Sequence, residues 1–560
     1  MGGEAKRAYL GVDVGTASAR AGVFDGSGNL LATARHPIAL WHEPGDIVEQ
    51  SSEDIWNACA TAIKAAMAEA KLAPEAIGGI GFDATCSLVV LGENAAPLTV
   101  SRSGDPNRNV IVWMDHRAIA QAERINRSGH AVLRYVGGII SPEMETPKIL
   151  WLKEHLPESY RAARQYYDLA DYLTYRATND DARSVCTVTC KWTYLAHEKK
   201  WSESYFRAIG LPELAADGYA RIGSRIVEPA TALGGGLTAV AAGELGLKAG
   251  TPVGASLIDA HAGAIGTIGG AAEDAKDQPA EALDRLAYIM GTSACIMAST
   301  AEPRFVPGVW GPYFSAMLPG RWLNEGGQSA AGAGIDHLVR SHPAYPEAAA
   351  AADAAHLGIL EYLERRAIAR SPSLSETARL ARDIHVLPEF LGNRSPFADP
   401  DARAIIAGLD LERTVESLEA LYVAGLCGLA YGLADVVDAM RAKEIHCGLM
   451  VISGGAARSP LVRQIMADTT GLAVALPATP EPVLLGAAML GAVAGKAYGS
   501  IDEAMRAMSR ISEITRRSGA PIAAFHDAKR RVYALLQSLD RESRALMRGG
   551  GARSGERKAG

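Results

Sequence analysis

"YLGVDVGTASARAGVFDGSGNLLA", residues 9–32, decides the fold. Leu10, Val12 and Val14 recur at period two, the mark of a half-buried strand, which sends Asp13 to the opposite face. The strand runs into the turn Gly15-Thr16-Ala17-Ser18. Two further strands, "ARAGVFD" and "LLATARHPIAL", follow, joined by "DGSGN". The expected unit is an antiparallel meander with one acid feeding a Gly-Thr turn.

Working outward, "SSEDIWNACATAIKAAMAEA" opens like a capping box at Ser51 and Asp54 and sets Ile55, Cys59, Ile63 and Met67 on one helical face. "IGGIGFDAT" reads as a buried strand ending at Asp83. This is an α/β layout with polar groups at strand ends. The order returns later: "RLAYIMGTSACIMAST" gives two strands around a Gly-Thr-Ser turn, and "RWLNEGGQSA" follows a Pro/Gly-rich stretch. Next come a long helix in "SLEALYVAGLCGLAYGLADVVDAM", a strand in "CGLMVISGG", and a helix with Ser459 as N-cap, Pro460 in its first turn and Gly471 at its stop. Two lobes are therefore expected, over residues 1–268 and 285–545, with a polar surface insertion at 269–284 and a disordered tail at 546–560.

At 560 residues the chain exceeds one core, and its 48% hydrophobic and 21% charged content is that of a globular protein. A net charge of -7, with a basic run only after Met547, argues against nucleic acid or an anionic membrane as partner. The start lacks a signal-peptide pattern, and no uncharged run reaches the ~18 apolar residues of a membrane span, so a cytoplasmic protein is expected. Seven dispersed cysteines form no CxxC pair, and Cys186 and Cys190 lack zinc-spaced partners; reduced thiols and no metal at this pair follow.

Phosphate chains need backbone N–H groups and hydroxyls at close range, which favours Gly, Thr and Ser in tight turns. Gly15, Thr16 and Ser18 supply this in the first hairpin; Gly291, Thr292 and Ser293 supply it in the second. Asp13 can hold magnesium directly or through water, and Arg20 can neutralise phosphate. No GxxxxGK[ST] is present, and neither "GGG" at 234–236 nor "GAG" at 332–334 sits in a dinucleotide-binding context. Gly454, Gly455 and Ala456 end a strand and precede a helix, where bare backbone can approach a base or ribose. Phosphoryl transfer to a hydroxyl also needs a proton acceptor. Asp259 lies between an apolar strand and a helix so rich in Gly and Ala that another backbone must approach it. The helix N-terminus there is expected to keep the acid ionised, with His261 as a packed or orienting residue.

Asp13-Val-Gly15-Thr16-Ala-Ser18-Ala-Arg20, Gly291-Thr292-Ser293 and Gly454-Gly455-Ala456 together resemble the phosphate and adenosine motifs of the FGGY carbohydrate kinases. The resemblance covers nearly the whole chain in order. It implies two ribonuclease-H-like lobes of the sugar kinase, actin and heat-shock ATPase superfold, with ATP and Mg2+ in the cleft and Asp259 as catalytic base.

Polyol recognition needs fixed donors and acceptors beside a flat apolar surface. The candidates are Asp83, Thr85 and Cys86 in "FDATCS", Trp113, Asp115 and Arg117 in "VIVWMDHRA", Lys191 and Trp192 in "VTCKW", and Glu325 and Gln328 in "LNEGGQSA". A surface-charge or core-aromatic role competes for Arg117 and Trp192. The chain has neither the Arg-Glu pair of glycerol kinases nor the Gly-Gln-Met-His-Gly stretch of xylulokinases. Lys191 and Glu325-x-x-Gln328-Ser329 resemble ribulokinase substrate-site residues, and "DATCS" is more similar to the D-ribulokinase form than to the Asp-Phe-Thr-Ser of L-ribulokinases. The resemblance implies D-ribulose phosphorylated at its terminal hydroxyl. The alternatives are an L-ribulokinase or ribitol kinase, and an actin-like or chaperone-like ATP switch; a homodimer is left open.

Overall fold

The computed structural model describes residues 7–270 and 282–550. The first lobe is built on β1 (Ala8–Val14), β2 (Ser18–Asp25), β3 (Leu30–Pro37), α1 (Ser52–Ala70) and β4 (Ile77–Ala84), with α2 (Val185–Trp192), β5 (Val253–Ile258) and α3 (Asp259–Ile268) further along. Its sheet has the order β5-β4-β1-β2-β3. β1 pairs antiparallel with β2 and parallel with β4. A smaller sheet, formed by 41–43, 47–50, 88–91, 110–111 and 165–168, lies beyond.

The second lobe repeats the plan with β6 (Arg285–Met290), β7 (Ala294–Thr300), β8 (Trp310–Phe314), β9 (Trp322–Gln328), α4 (Val415–Arg441), β10 (Leu449–Ser453), α5 (Pro460–Thr470), β11 (Ala473–Pro477), α6 (Pro482–Ala494), β12 (Ile511–Thr515) and α7 (Ala520–Gly550). The order is β8-β9-β7-β6-β10-β11-β12. As in the first lobe, an antiparallel hairpin is flanked by a parallel strand. The helix α4 is long and apolar enough to span a bilayer, but 89% of its most apolar stretch is buried inside the protein.

The local signals act as their chemistry demands. Ser51 Oγ accepts the Asp54 N–H at 3.3 Å, but Asp54 turns its carboxylate to the Ala39 N–H at 2.8 Å, so only half of a capping box forms. Ser459 Oγ caps α5 through the Val462 N–H, and Gly471 stops it at φ 72°.

Three expectations change. β1 is buried along its whole length rather than on one face, because α1 covers one side of the sheet and α6 the other. The second change is that this cover comes from the C-terminal half of the chain, outside the lobe whose sheet it packs on. A Cβ on Gly11 would sit 1.9 Å from the Leu484 carbonyl oxygen, and one on Gly81 2.0 Å from that of Ala487. Conversely, α3 reaches over to β6 and β10. The two helices cross with backbones touching, as the Gly/Ala-rich sequence of α3 requires: a Cβ on Gly266 would lie 1.9 Å from Pro482 O, and one on Gly486 1.9 Å from Ala262 O.

The third change is at the end of the chain. Residues 546–550, expected in the tail, continue α7, where Arg544 binds Asp399 and Asp540 and Arg548 pairs with Asp401. The tail from 551 and the insertion from 271 to 281 lie outside the described residues.

Candidate active site

A cleft of about 500 Å³ opens between the lobes. The two hairpin turns face it and are closed differently: the Gly15 N–H meets the carbonyl three residues on, Ser18 O, at 3.1 Å, and the Gly291 N–H the one two residues on, Ser293 O, at 2.8 Å. A Cβ at Gly15 or Gly291 would meet nothing nearer than 3.8 Å, so added side chains would project into the cradle. Thr16, Ser18, Thr292 and Ser293 also line the cleft. This suits a phosphate chain gripped from both lobes.

Asp13 faces Arg20 across the β1–β2 ladder and Asp83 across β1–β4. Arg20 Nε donates to Asp13 Oδ2 at 2.7 Å, and its Nη1 reaches Glu481 at 3.0 Å, beside the start of α6. The pair expected to divide metal and phosphate between them thus holds itself together. Among the described residues no three His, Cys, Asp or Glu form a metal cage. One carboxylate at a phosphate cradle is still the donor set that suits Mg2+, which keeps most of its waters and leans on substrate phosphates.

Asp259 lines the cleft at the first residue of α3, its Oδ1 accepting its neighbour Ala260's N–H at 2.7 Å. Its electrostatics differ from expectation. Burial, followed by the charge of Asp13, outweighs the Ala260 N–H and the His261 and Lys191 charges and lifts Asp259 to about 6. The helix start alone does not hold it low.

Of the sugar candidates, Thr85, Cys86, Trp113, Lys191 and Glu325 reach the cleft. Trp113 donates its indole N–H to Thr16 Oγ1 at 2.9 Å, tying this wall to the first phosphate turn. Burial opposes charge on Lys191, but Cys86 and Glu325 outweigh it, so the ammonium persists. For Glu325, burial is outweighed by the His261 hydrogen bond and the charges of Lys191, His261 and Arg394, which bring it down to about 2.

Five sugar candidates lie elsewhere. Asp83 is fully buried beside Asp13; burial, then the charge and hydrogen bond of Asp13, push it well above the carboxylate range, so it holds a proton. Asp115 is equally buried, accepting the Val48 N–H at 2.7 Å and pairing with Arg117, which also binds Glu49. Gln328 uses both ends of its amide, accepting from Tyr288 Oη at 2.8 Å and donating to Leu429 O at 2.9 Å. The cause is period two: residues 325 and 328 of one strand point to opposite faces. Trp192 is a core residue, 1% exposed.

Gly454, Gly455 and Ala456 are not among the residues lining this cleft. At φ 94°, Gly454 is glycine for packing, since a Cβ would sit 2.2 Å from Met290 O; Gly455 is open, with nothing within 4 Å.

The sequence reading missed Glu143, Trp310, Arg394 and Arg35, which line the cleft. Two cations lie over the Trp310 ring, Lys191 Nζ at 4.8 Å and the Arg394 guanidinium at 5.3 Å from its centre. The Pro/Gly-rich "VPGVWGPYF" around it was a usable signal, because such stretches carry exposed functional side chains. Glu143 Oε1 lies 3.5 Å from His116 Nε2.

Comparison with known proteins agrees with this geometry. Residues 8–266 match the N-terminal domain, and 286–495 the C-terminal domain, of the FGGY family of carbohydrate kinases. The chain is 45% identical over 553 residues to a human FGGY carbohydrate kinase domain-containing protein, covering 98% of this chain and 99% of that one. It is 36% identical over 561 residues to a D-ribulokinase of Saccharomyces cerevisiae, covering 96% of this chain and 77% of that protein. A xylulose kinase structure from Lactobacillus acidophilus superposes with a TM-score of 0.78 at 18% identity, covering 98% of this chain and 100% of that one. With both domain patterns matched in order on either side of one cleft, the chain belongs to the FGGY family of carbohydrate kinases.

Proposed function

We propose that the protein is a D-ribulokinase, transferring the γ-phosphoryl group of ATP to the terminal hydroxyl of D-ribulose to give D-ribulose 5-phosphate. The observation that carries this is Asp259 in one cleft with two phosphate turns on one side and Lys191 and Glu325 on the other. The similarity to the yeast D-ribulokinase supports the choice of pentulose.

Asp259 takes the proton of the attacking hydroxyl as its oxygen bonds to the γ-phosphorus and the bond to the ADP oxygen breaks. A base of this kind contributes about 10²–10⁴-fold. Thr16, Thr292 and Ser293 steady the phosphates while Lys191 and Glu325 hold the polyol, and closure excludes competing water. Asp13 would hold Mg2+, which when bound neutralises phosphate charge. Gly455 and Ala456 would border the adenosine. Nothing in this chemistry calls for a membrane or a second copy of the chain, and the described cysteines are all free thiols, which suits the cytoplasm.

The test is ADP release with D-ribulose, L-ribulose, D-xylulose, ribitol and glycerol, for the native chain and Asp259→Asn. D-ribulose should lead in kcat/KM and the variant should be nearly silent. Preference for L-ribulose or ribitol would refute the substrate, and sugar-independent hydrolysis would refute the kinase.

A further inference from the structure

Behind the sugar end of the cleft, three side chains from three elements form a polar chain of which the proposed phosphoryl transfer uses only Glu325. Cys186 of α2 places its Sγ 3.0 Å from His261 Nδ1, and the Ile258 N–H approaches the same sulfur at 3.4 Å. His261, in α3, places Nε2 3.4 Å from Glu325 Oε2 on β9. Cys186 and His261 are fully buried, and only Glu325 reaches the cleft. The chain therefore ends at the sugar site, and its last link joins a helix of the first lobe to a strand of the second.

An ionised carboxylate only accepts hydrogen bonds, so Nε2 must carry the proton. Two arrangements then remain at Nδ1: a neutral ring accepting the thiol S–H, or an imidazolium donating to a thiolate. Burial opposes both charges, yet Cys190 and His261 draw the Cys186 thiol down while Cys186 and Glu325 draw His261 up, which favours the ion pair. Either way the sulfur fixes the ring with Nε2–H aimed at Glu325.

We propose that His261 is a positioning residue for sugar recognition: Cys186 holds its ring so that Nε2–H occupies one oxygen of Glu325, leaving the other directed at a sugar hydroxyl. This rests on the pentulose-kinase reading. It assigns specificity to two buried residues that never touch the sugar.

The test combines steady-state kinetics with imidazole 15N NMR of the resting protein. Loss of a hydrogen bond to a charged acceptor should raise the D-ribulose KM about tenfold or more in His261→Leu. The ATP KM should stay within about threefold, and kcat, read at pH 8 where Asp259 stays ionised without the His261 charge, should fall less than the sugar KM rises, since the interaction serves the bound sugar. His261→Gln, which keeps an amide donor, should recover most of the loss. Cys186→Ala should shift the His261 nitrogen resonances and raise the sugar KM, and Cys186→Ser should restore both. An unchanged KM in His261→Leu, an equal loss for both substrates, or unmoved resonances in Cys186→Ala would overturn the proposal. If His261→Leu does not fold, the Cys186 pair decides it. A wild-type protein inactive on every sugar would refute the kinase reading instead, and the resonances of Cys186→Ala would still judge the chain.

Discussion

Asp259, the proposed base, is placed at about 6 by its surroundings, ionised at neutral pH yet basic enough to take a proton. Two consequences follow from that raised value. The acid limb of kcat/KM should fall near pH 6, and Asp259→Asn should lower kcat by about 10²–10⁴-fold. The folded protein also binds this proton more tightly than the unfolded chain. The group's stabilising contribution is therefore complete below the unfolded value and lost as pH rises through about 6. Asp259→Asn should accordingly melt higher than wild type at pH 8, and the gap should narrow below about pH 6 and close only below the carboxyl's ordinary 3.8; a constant gap would remove the electrostatic account. Asp115 makes the contrasting case. It is fully buried and paired with Arg117, so Asp115→Ala should cost about 3–5 kcal/mol in chemical denaturation by stranding a charge, while the folded fraction keeps its sugar KM. Asp259 and Asp115 both look functional in sequence as acids at the ends of apolar stretches. What separates them is a three-dimensional partner: Arg117 neutralises Asp115, whereas Asp259 faces the cleft. Glu325 and Gln328 were separable in principle, because odd spacing along a strand sends one of them away from the cleft.

At the scale of elements, helices α3 and α6 cross at bare backbone. A Cβ at Gly266 or Gly486 would strike a carbonyl at 1.9 Å, so Gly266→Ala and Gly486→Ala should each cost about 1–3 kcal/mol or more from overpacking, read as a lower denaturation midpoint. Gly455 is the control, since a Cβ there would meet nothing within 4 Å. Gly455→Ala should leave the midpoint unchanged and raise the KM for ATP if adenosine lies against it. Equal effects at all three positions would break the distinction between packing and ligand glycines. The hairpins, the α1 and α5 caps and the repeated strand order were legible because each rests on local periodicity or turn chemistry. The burial of β1 on both faces was not. Its second cover, α6, is about 470 residues away in the chain, by the end-to-end numbering of the two elements, and no local pattern names a distant partner. Gly11, Gly79 and Gly81 within the strands were the available trace, since glycine in a strand often marks a closely approaching backbone.

For the molecule as a whole, the crossing makes the two lobes interdependent. The sheet of residues 1–268 is covered by α6, and the sheet of the C-terminal half receives α3 on β6 and β10. Each half taken alone would expose an apolar sheet face and a helix with no partner, a surface that soluble monomers seldom show. Arg20 to Glu481 and His261 to Glu325 further tie the halves at the cleft. If the lobes close over ligands, as the proposed kinase requires, the motion must turn about the crossed helices and not bring together two free bodies. The whole chain should accordingly unfold in one calorimetric transition, with the measured enthalpy equal to the van't Hoff value. Residues 1–268 expressed alone should bind a hydrophobic dye and lack a sharp melt, whereas co-expression with 285–545 should restore both folding and kinase activity. Two separate transitions, or a cooperatively folded N-terminal fragment, would mean that the crossing helices add contacts without making the lobes one folding unit.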